Sequence, residues 1–433
     1  MKVLLGWICS VVVVATDAAA ASSVSAVAAT ITTSSSSSAS TEEATSLLSI
    51  RSTPRKKSPL KVFILCGQSN MQGHGYMDMR NDDVANDAGP FRNGTLEWMV
   101  ETYPDKYGKL KNNKTNNWKQ RDDVWITYNR QSVGNVRQHI NQHGKLIPGY
   151  GGDPGQEGHQ MGPELGFGYE LGDALNNNND KEDGYNNNIL LIKIGWGGRS
   201  LAVDFRPPSS EGKTGLYYES VIASIYKTLS KLPSLFPQYQ SIYGESGYEI
   251  SGFAWHQGWN DGCDTNMTKE YEYNLANLIR DIRIDLDTPD LPVSIGVSGM
   301  NGWQDQDYYS DSNRREDIIA AQFAVGNETL YPEFSGTVKS VETRTFFRTP
   351  YNDPDDPDGQ GHGQSPGNQV YHWNNNCESY WLVGSSMGKA MVELLKNQNK
   401  ETTKKYNEGG KFRQRPDMNT NNFYSSNVTS VKV

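Results

Sequence analysis

Three short polar segments that contain glycine follow apolar runs of the sequence and could supply catalytic groups. They are Gly67-Gln68-Ser69-Asn70-Met71, Gly195-Trp196-Gly197-Gly198-Arg199-Ser200 and His256-Gln257-Gly258-Trp259-Asn260-Asp261. A serine between small and amide residues, directly after a buried strand, is well placed to act as a nucleophile with a neighbouring base. Serine is also a frequent cap of the helix that follows such a strand. Ser69 is therefore a nucleophile or a helix cap on this pattern alone.

Other groups that acyl transfer needs also have candidates. Gly197 and Gly198 could turn backbone N–H groups toward a developing oxyanion, although adjacent glycines also form tight turns with positive φ. Seven histidines could act as the general base: His74, His139, His143, His159, His256, His362 and His372. The Gly-x-Ser-x-Gly elbow of α/β-hydrolases is absent, because Met71 occupies the position of its second glycine.

Strands and helices must bring these segments together. Nearly continuous apolar runs predict strands that are buried on both faces, at Val62–Cys66, Ile189–Ile194, Ile250–Trp255, Val293–Val297 and Thr337–Val341. Apolar periodicity predicts helices at Pro163–Ala174, Tyr217–Leu232, Thr268–Asp285, Asn313–Val325 and Ser379–Leu395. This alternation predicts a parallel sheet with helices on both faces and a ligand site at the carboxyl ends of its strands. Residues 76–160 interrupt the alternation, and we expect a long insertion packed over one end of the sheet.

Composition argues against two classes of partner. The 433 residues carry 50 acidic and 41 basic side chains, a net charge of −9, whereas nucleic-acid-binding proteins usually show a basic excess. The same balance leaves no large positive field for an anionic membrane surface. We therefore expect neither a nucleic acid partner nor stable membrane insertion.

The ends of the chain indicate export. Residues 1–21 are typical of a cleaved signal peptide: Lys2 precedes an apolar stretch, and small residues follow. A membrane anchor is the alternative, but the apolar stretch is too short to span a bilayer comfortably. We predict a Ser/Ala/Thr-rich stalk or pro-segment at 22–59, a folded domain at 60–397 and a polar tail at 398–433. Five sequons would be usable glycosylation sites on a secretory route: Asn93, Asn113, Asn266, Asn327 and Asn427.

Five blocks of the sequence together resemble a known family. In chain order they are VFILCGQSNMQGHG, GPELGFG, IGWGGRSL, FAWHQGWND and YHWNNNCESYWLVGSSMGKAM, spanning residues 62–391. They resemble the sialate O-acetylesterase-like carbohydrate esterases of the SGNH hydrolase superfamily. The resemblance implies a flavodoxin-like three-layer α/β/α sandwich. It also implies removal of acetyl esters from sugars, without a metal or other cofactor.

The resemblance assigns roles to individual residues. Ser69 matches the nucleophile of the family, and His372 matches its late general base. Gly198 matches the backbone donor to the oxyanion, with Gly197 as a neighbouring option. Gln257 matches a side-chain amide donor.

The chain departs from the family pattern at the carboxylate that orients the base. Many members carry Asp three residues before the histidine, where this chain has Gln369. We expect Asp261 to replace it, with Glu342 and Asp204 as further candidates, or else the enzyme uses a Ser–His dyad. Asp261 is also part of a strong turn signal, so it could cap a turn instead. Asn260 is a further oxyanion or substrate-binding candidate.

The cysteines outside the predicted signal peptide are Cys66, Cys263 and Cys377. Cys263 lies just beyond the third polar segment and Cys377 just beyond His372, and both segments are expected at the site. In an oxidising compartment a disulfide between Cys263 and Cys377 is therefore predicted, with two free buried thiols as the alternative. Cys66 ends a buried strand and is expected to be a small core residue.

Two hypotheses about function follow. The first is a secreted serine esterase that removes O-acetyl groups from sialic acid, xylan or another glycan. The second is a carbohydrate-binding or cell-surface protein that kept the fold and lost turnover, which the glutamine at position 369 favours. Aromatic residues near the blocks, Trp196, Trp259, Tyr371 and Trp373, could stack on a sugar face or pack in the core.

Overall fold

A seven-stranded sheet forms the centre of the computed structural model, which describes residues 58–78, 92–130, 133, 139–176, 189–304, 313–351 and 363–407. The strands are β1 (Leu60–Gly67), β2 (Gly75–Tyr76), β3 (Arg121–Arg130), β4 (Ile140–Leu146), β5 (Gln160–Met161), β6 (Ile189–Gly195), β7 (Tyr248–His256), β8 (Val293–Gly296) and β9 (Val338–Val341). The main sheet has the order β4-β3-β6-β1-β7-β8-β9, and β2 pairs with β5 in a separate two-stranded sheet.

The strand order is that of a flavodoxin-like sheet. All neighbours in the main sheet are parallel except β3 and β4. The five strands that apolar runs predict are β1, β6, β7, β8 and β9, and all five predictions are confirmed. Counted along the chain, these five strands have the order 2-1-3-4-5, which reverses its direction at β1. A ligand site is expected at that reversal, beyond the carboxyl ends of β1 and β7.

Helices cover both faces of the sheet. They are α1 (Ser69–Gln72), α2 (Leu96–Thr102), α3 (Pro104–Tyr107), α4 (Glu164–Asn176), α5 (Leu216–Ser230), α6 (Leu232–Leu235), α7 (Tyr239–Tyr243), α8 (Thr265–Asp285), α9 (Arg314–Val325) and α10 (Cys377–Asn407). The side chains of β1 alternate between two apolar cores: Val62 and Ile64 pack in the core of α5, α8 and α9, whereas Phe63 and Leu65 pack in that of α4 and α10. The predicted three-layer α/β/α sandwich is therefore confirmed.

The insertion differs from its prediction in one respect. Residues 121–130 do not merely pack over an end of the sheet: they form β3, which pairs in parallel with β6, and β4 adds an antiparallel edge. Val124 and Ile126 pack in the core of α4 and α10, while Trp125 packs in that of α5, α8 and α9. The apolar run in β3 is short and has polar neighbours at Asp123 and Asn129, so the sequence pattern did not reveal this strand.

Candidate active site

Ser69 lies where β1 passes into α1. A side chain at Gly67 would bring its Cβ to 2.1 Å from the carbonyl oxygen of His256, so only glycine allows β1 and β7 to approach this closely. Gln68 then joins the two loops, since its Oε1 accepts the backbone N–H groups of Gly258 at 3.1 Å and Asn260 at 3.4 Å. Ser69 is buried, and its Oγ forms no hydrogen bond within the described part of the chain.

His372 belongs to an irregular segment, Val370–Asn375, that docks onto α1. The backbone turns left-handed directly after the histidine, with φ of 54° at Trp373, 52° at Asn374 and 60° at Asn375. Asn70, the neighbour of Ser69, donates from Nδ2 to the carbonyl oxygen of Tyr371 at 2.8 Å. The segment therefore presents His372 next to the start of α1.

The ring of His372 is held on two sides. Its Nδ1 lies 3.2 Å from Oε1 of Gln369, which accepts the proton in the tautomer that leaves Nε2 free as a base. The ring also stacks on His74, with 4.0 Å between centroids and 11° between planes. Burial, followed by the neighbouring His74, holds the pKa of His372 well below its usual value. The imidazole of His372 is consequently uncharged at neutral pH.

His74 was one of seven candidate bases in the sequence, and its supporting position is clear only from the structure. Asn375 fixes its backbone by donating from Nδ2 to the His74 carbonyl oxygen at 3.0 Å. Burial lowers the pKa of His74 to about 4, with Asp153 opposing this shift and the Lys193 and Arg130 charges adding to it. His74 therefore stays neutral and stacks on His372 without adding a charge.

Buried charged side chains of the neighbouring strands and helix support the end of α1. Lys193 on β6 donates from Nζ to the carbonyl oxygen of Gln72 at 2.7 Å and to Oε2 of Glu164 at 2.7 Å. Arg130 donates from Nη1 to Oε1 of Gln72 at 2.9 Å, and Gln72 in turn donates from Nε2 to Asp153 at 2.8 Å. The end of α1 is thus fixed to β3, β6 and the loop before β5.

The loop after β6 passes beside Ser69. A Cβ built on Gly197 would lie 3.8 Å from Cβ of Ser69, whereas one built on Gly198 would point into open space. Gly198 has a φ of +65°, which glycine adopts without strain. Among the described residues, neither glycine donates its backbone N–H to an acceptor. Both N–H groups are available to an oxyanion at this place.

The structure engages the amide of Gln257, which the sequence predicts as an oxyanion donor, within the protein. Its Nε2 donates both protons within the protein, to the carbonyl oxygen of Arg199 at 3.0 Å and to Oδ2 of Asp261 at 2.5 Å. Its Oε1 accepts from the hydroxyl of Tyr271 at 3.0 Å. The amide therefore links the loop after β6 to the loop after β7.

The structure does not bring Asp261, the predicted orienting carboxylate, into contact with His372. The Asp261 carboxylate is fully buried and accepts the backbone N–H groups of Leu201 at 2.8 Å and Ala202 at 2.9 Å, besides the amide of Gln257. Burial raises the pKa of Asp261 to about 6 in spite of these bonds. Asp261 positions the loop that carries Gly198, and the partner of His372 is Gln369.

The other two carboxylate candidates are engaged elsewhere. Asp204 accepts the backbone N–H of Ser200 at 2.8 Å, and Glu342 forms a paired contact with the guanidinium of Arg344. Asn260, by contrast, has its backbone fixed on Gln68 while its half-buried side-chain amide makes no hydrogen bond to a described residue. Asn260 therefore replaces Gln257 as the candidate amide donor.

The predicted disulfide does not form. Cys263 is exposed, and its thiol contacts the carbonyl oxygen of Trp259 at 3.4 Å. Cys377 is buried at the start of α10 and donates from Sγ to the carbonyl oxygen of Tyr76 at 2.9 Å. The two thiols face different partners, so both remain free. Cys66 is a buried core residue, as predicted.

Two further properties concern the whole described part of the chain. It contains no group of three or more His, Cys, Asp or Glu side chains that could hold a metal ion. In the same residues, no helix has the length and apolar character needed to cross a bilayer.

The fold and its first loop define a class of protein. A sandwich with this strand order, in which Gly-Gln-Ser-Asn-Met follows the first strand, resembles the SGNH-type hydrolases. Residues 59–326 match the family described as carbohydrate esterase, sialic acid-specific acetylesterase. The chain belongs to this family and is an esterase that removes acetyl groups from carbohydrates. No curated protein matches the sequence.

Three solved structures are similar to the chain at low sequence identity. A protein from Arabidopsis thaliana is 17% identical, with a TM-score of 0.38 over 77% of this chain and 98% of its own. A carbohydrate acetylesterase from Xanthomonas citri is 14% identical, with a TM-score of 0.37 over 72% of this chain and 54% of its own. The protein NanS is 15% identical, with a TM-score of 0.42 over 80% of this chain and 99% of its own.

Proposed function

We propose that Ser69 and His372 form the catalytic pair of a secreted carbohydrate O-acetylesterase. The observation that carries this proposal is the docking of Val370–Asn375 onto α1 through the hydrogen bond from Asn70 to Tyr371. This contact joins the loop of the nucleophile to the segment of the base, although 301 residues separate the bonded partners. Membership of the carbohydrate esterase family supports the same reaction.

The reaction proceeds through an acetyl-enzyme. Oγ of Ser69 attacks the acetyl carbonyl carbon while Nε2 of His372 takes the hydroxyl proton. The tetrahedral intermediate collapses when the sugar oxygen leaves with that proton, which gives the free sugar hydroxyl and an acetyl ester on Ser69. Water then attacks the ester with the same histidine as base, releasing acetate and restoring Ser69. The nearby Gln369 orients His372 but supplies no negative charge to the imidazolium.

The oxyanion is stabilised by donors from three loops. These are the backbone N–H of Ser69 at the start of α1, the N–H of Gly198 with that of Gly197 beside it, and the side-chain amide of Asn260. The first N–H groups of a helix have no acceptor within the helix and favour a negative charge. Removing one preorganised donor typically costs about 10²–10³-fold in kcat. Asp261 contributes indirectly because it fixes the loop of Gly198.

The proposal predicts that the purified protein releases acetate from acetylated glycans and from a chromogenic acetate. A serine-directed organophosphonate should label one peptide, which contains Ser69. Ser69→Ala should lower kcat by roughly 10³-fold or more and abolish labelling. Chelators should leave the rate unchanged. Undiminished labelling of Ser69→Ala, or a chelator-sensitive rate restored by zinc or calcium, would refute the assignment.

We also propose that the protein is exported after removal of residues 1–21. Lys2 and the apolar stretch that follows it support this proposal. Expression of the full chain in a eukaryotic secretory host should yield protein in the medium whose amino terminus is at or near Ser22. Its mass should fall after deglycosylation, since Asn113, Asn266 and Asn327 are exposed sequon positions. Retention of an intact amino terminus inside the cell would contradict export.

A further inference from the structure

We propose that the esterase binds a polysaccharide chain along an aromatic strip formed by Tyr371, Trp259 and Trp303. This inference rests on the proposed function and narrows its substrate class to acetylated polymers in which several consecutive sugar rings contact the protein. The strip runs along the carboxyl edge of β7, β8 and β9, the edge at which Ser69 and His372 also lie.

The strip begins at the catalytic loops. Tyr371 directly precedes His372, and the two rings lie 4.6 Å apart between centroids. Trp259 follows Gly258, whose backbone N–H is bonded to Gln68 next to the nucleophile. The rings of Tyr371 and Trp259 are 5.7 Å apart at an angle of 50°. Both aromatic side chains are only half-buried, so each presents part of its surface at the site.

Trp259 is held in place by an arginine. The guanidinium of Arg315 on α9 lies 3.3 Å from the centroid of the Trp259 ring, and it donates from Nη1 to the Trp259 carbonyl oxygen at 3.3 Å. A cation over an aromatic face is attractive and limits the motion of the ring. The indole therefore meets a ligand without first losing much side-chain freedom.

Trp303 repeats this arrangement farther along the edge. It is 66% exposed, in the turn after β8, and the guanidinium of Arg344 lies 4.0 Å from its ring centroid. Arg344 is itself fixed: its Nη2 donates to Oε2 of Glu342 at 2.7 Å, and its Nη1 lies 3.4 Å from Glu316. Glu316 is next to Arg315 on α9. The contact between Glu316 and Arg344 therefore joins the two Trp–Arg pairs into one surface.

The spacing of the strands indicates a polymer. Adjacent strands are about 4.8 Å apart, so β8, which precedes Trp303, lies roughly 10 Å across the sheet from β1, which precedes Ser69. One sugar ring bound at Ser69 does not extend over β7 and β8 together. A chain of sugars does, and the apolar C–H faces of successive rings are suited to stacking on flat, pre-positioned aromatic side chains.

Trp303 differs from the other exposed aromatic side chains in the described part of the chain. Tyr103, Tyr226 and Tyr273 are 45–50% exposed, and each carries a hydroxyl that water can solvate. Trp303 exposes a larger fraction of a larger apolar ring, whose burial against a sugar face would be favourable. Trp303 also lies on the catalytic edge of the sheet. Tyr226 on α5 and Tyr273 on α8 do not.

The first test compares one polymer with one small ester. We expect Trp303→Ala to lower the ratio of kcat/KM on acetylated xylan to kcat/KM on 4-nitrophenyl acetate by about 10-fold or more. Trp303→Phe should restore most of the ratio because it keeps a flat ring. Tyr273→Ala is the matched control, since it removes an exposed aromatic side chain on α8 and should leave the ratio unchanged. An unaltered ratio for Trp303→Ala would overturn the inference.

The second test measures binding without turnover. Affinity electrophoresis of Ser69→Ala in gels that contain acetylated xylan, acetylated mannan or acetylated pectin should show retardation, and adding Trp303→Ala should remove it. Retardation by none of these polymers, with turnover of an O-acetylated free sialic acid by the wild type, would overturn the strip. Co-purification of a protein with the wild type, lost in Trp303→Ala while polymer turnover is kept, would reassign it to protein binding. Unimpaired ester hydrolysis by Ser69→Ala would instead refute the proposed catalytic pair.

Discussion

Uncharged groups hold the imidazole of His372, the proposed base. Serine hydrolases commonly use a carboxylate that fixes the tautomer and stabilises the imidazolium formed in the transition state. Here Gln369 can fix the tautomer through Oε1, at 3.2 Å from Nδ1, and the stacked ring of His74 fixes the plane. Neither group offsets the positive charge. The base is well oriented, but its protonated form is not stabilised by an anion.

This difference predicts a gain on substitution. Gln369→Glu has nearly the same shape and places a carboxylate at Nδ1, which should raise the pKa of His372 because a negative neighbour favours the imidazolium. The acidic limb of the kcat profile should therefore move to higher pH, and kcat on the plateau should be maintained or increased. Gln369→Leu should lower kcat by about 10-fold or more, since it leaves the tautomer unspecified. A pH profile that is identical for Gln369→Glu and the wild type would show that position 369 does not contact the base during turnover.

A second residue-scale prediction concerns His74 as a positioning residue. Its ring lies 4.0 Å from that of His372, nearly parallel, and removing it in His74→Ala leaves space into which His372 can rotate. We expect kcat to fall by roughly 10-fold while KM changes little, because ground-state binding does not depend on the orientation of the base. His74→Phe keeps a flat ring and should recover most of kcat. If His74 had only a structural role, His74→Ala and His74→Phe would lower the melting temperature equally and would have the same kcat.

The sequence could identify which loops carry chemistry more readily than what each side chain does. The roles proposed for Ser69 and His372 rest on blocks with a distinctive order and spacing. Gln257 and Asp261 lie in an equally distinctive block, yet they hold loops together. An amide or carboxylate near a site either takes part in catalysis or holds loops together. Which role it has depends on partners such as Leu201 and Tyr271, which are distant in sequence.

At the scale of elements, a buried lysine on β6 supports α1, the helix that begins at the proposed nucleophile. Lys193 and Glu164 are both fully buried, with 2.7 Å between Nζ and Oε2. Lys193 also donates to the carbonyl oxygen of Gln72 at 2.7 Å and to that of Tyr150. Burial lowers the pKa of Lys193, and the pairing with Glu164 opposes this shift.

Breaking this pair from one side should be costly. Lys193→Met leaves the Glu164 carboxylate buried without its cation, and we expect the free energy of unfolding to fall by about 3–5 kcal/mol. The double variant Lys193→Met with Glu164→Leu removes both charges and should recover a large part of that loss. Urea unfolding of the three proteins measures the difference. Equal stability of Lys193→Met and the wild type would mean that the pair does not contribute to the fold.

Elements were predictable where their residues follow a single rule. β1, β6, β7 and β8 are mostly runs of apolar residues buried on both faces, which is the pattern expected of central parallel strands. β9 is the edge strand and is mostly half-buried. β3 also lies inside the sheet, between β4 and β6. However, polar residues surround its short apolar run, and it belongs to the long insertion. Its pairing with β6 depends on tertiary contacts that no local pattern contains.

At the scale of the whole molecule, buried histidines and a buried carboxyl group have opposite effects on stability. Burial lowers the pKa of His256 and of His74 to about 4, from an ordinary value near 6.5. Below pH 6.5 the unfolded chain therefore binds protons that the folded one does not, so acidification favours unfolding. Asp261, with a pKa raised to about 6, behaves in the reverse way: the folded state binds its proton first, and its contribution to stability is lost as the pH rises through 6.

Burial also lowers the pKa of His372, so three histidines against one carboxyl group leave a net loss of stability on acidification. Each shift of one pKa unit corresponds to about 1.4 kcal/mol, so the free energy of unfolding should fall by on the order of 3 kcal/mol between pH 7 and pH 4. Urea unfolding at several pH values measures this difference.

Three variants test which groups cause the difference. His256→Asn keeps a donor near the carbonyl oxygen of Gly296 and removes one titrating group, so it should make the difference smaller. Asp261→Asn should make it larger. His143→Asn, which replaces an exposed histidine on β4, serves as the control and should leave it unchanged. A free energy of unfolding that rises toward pH 4 in the wild type would show that the carboxyl group outweighs the histidines.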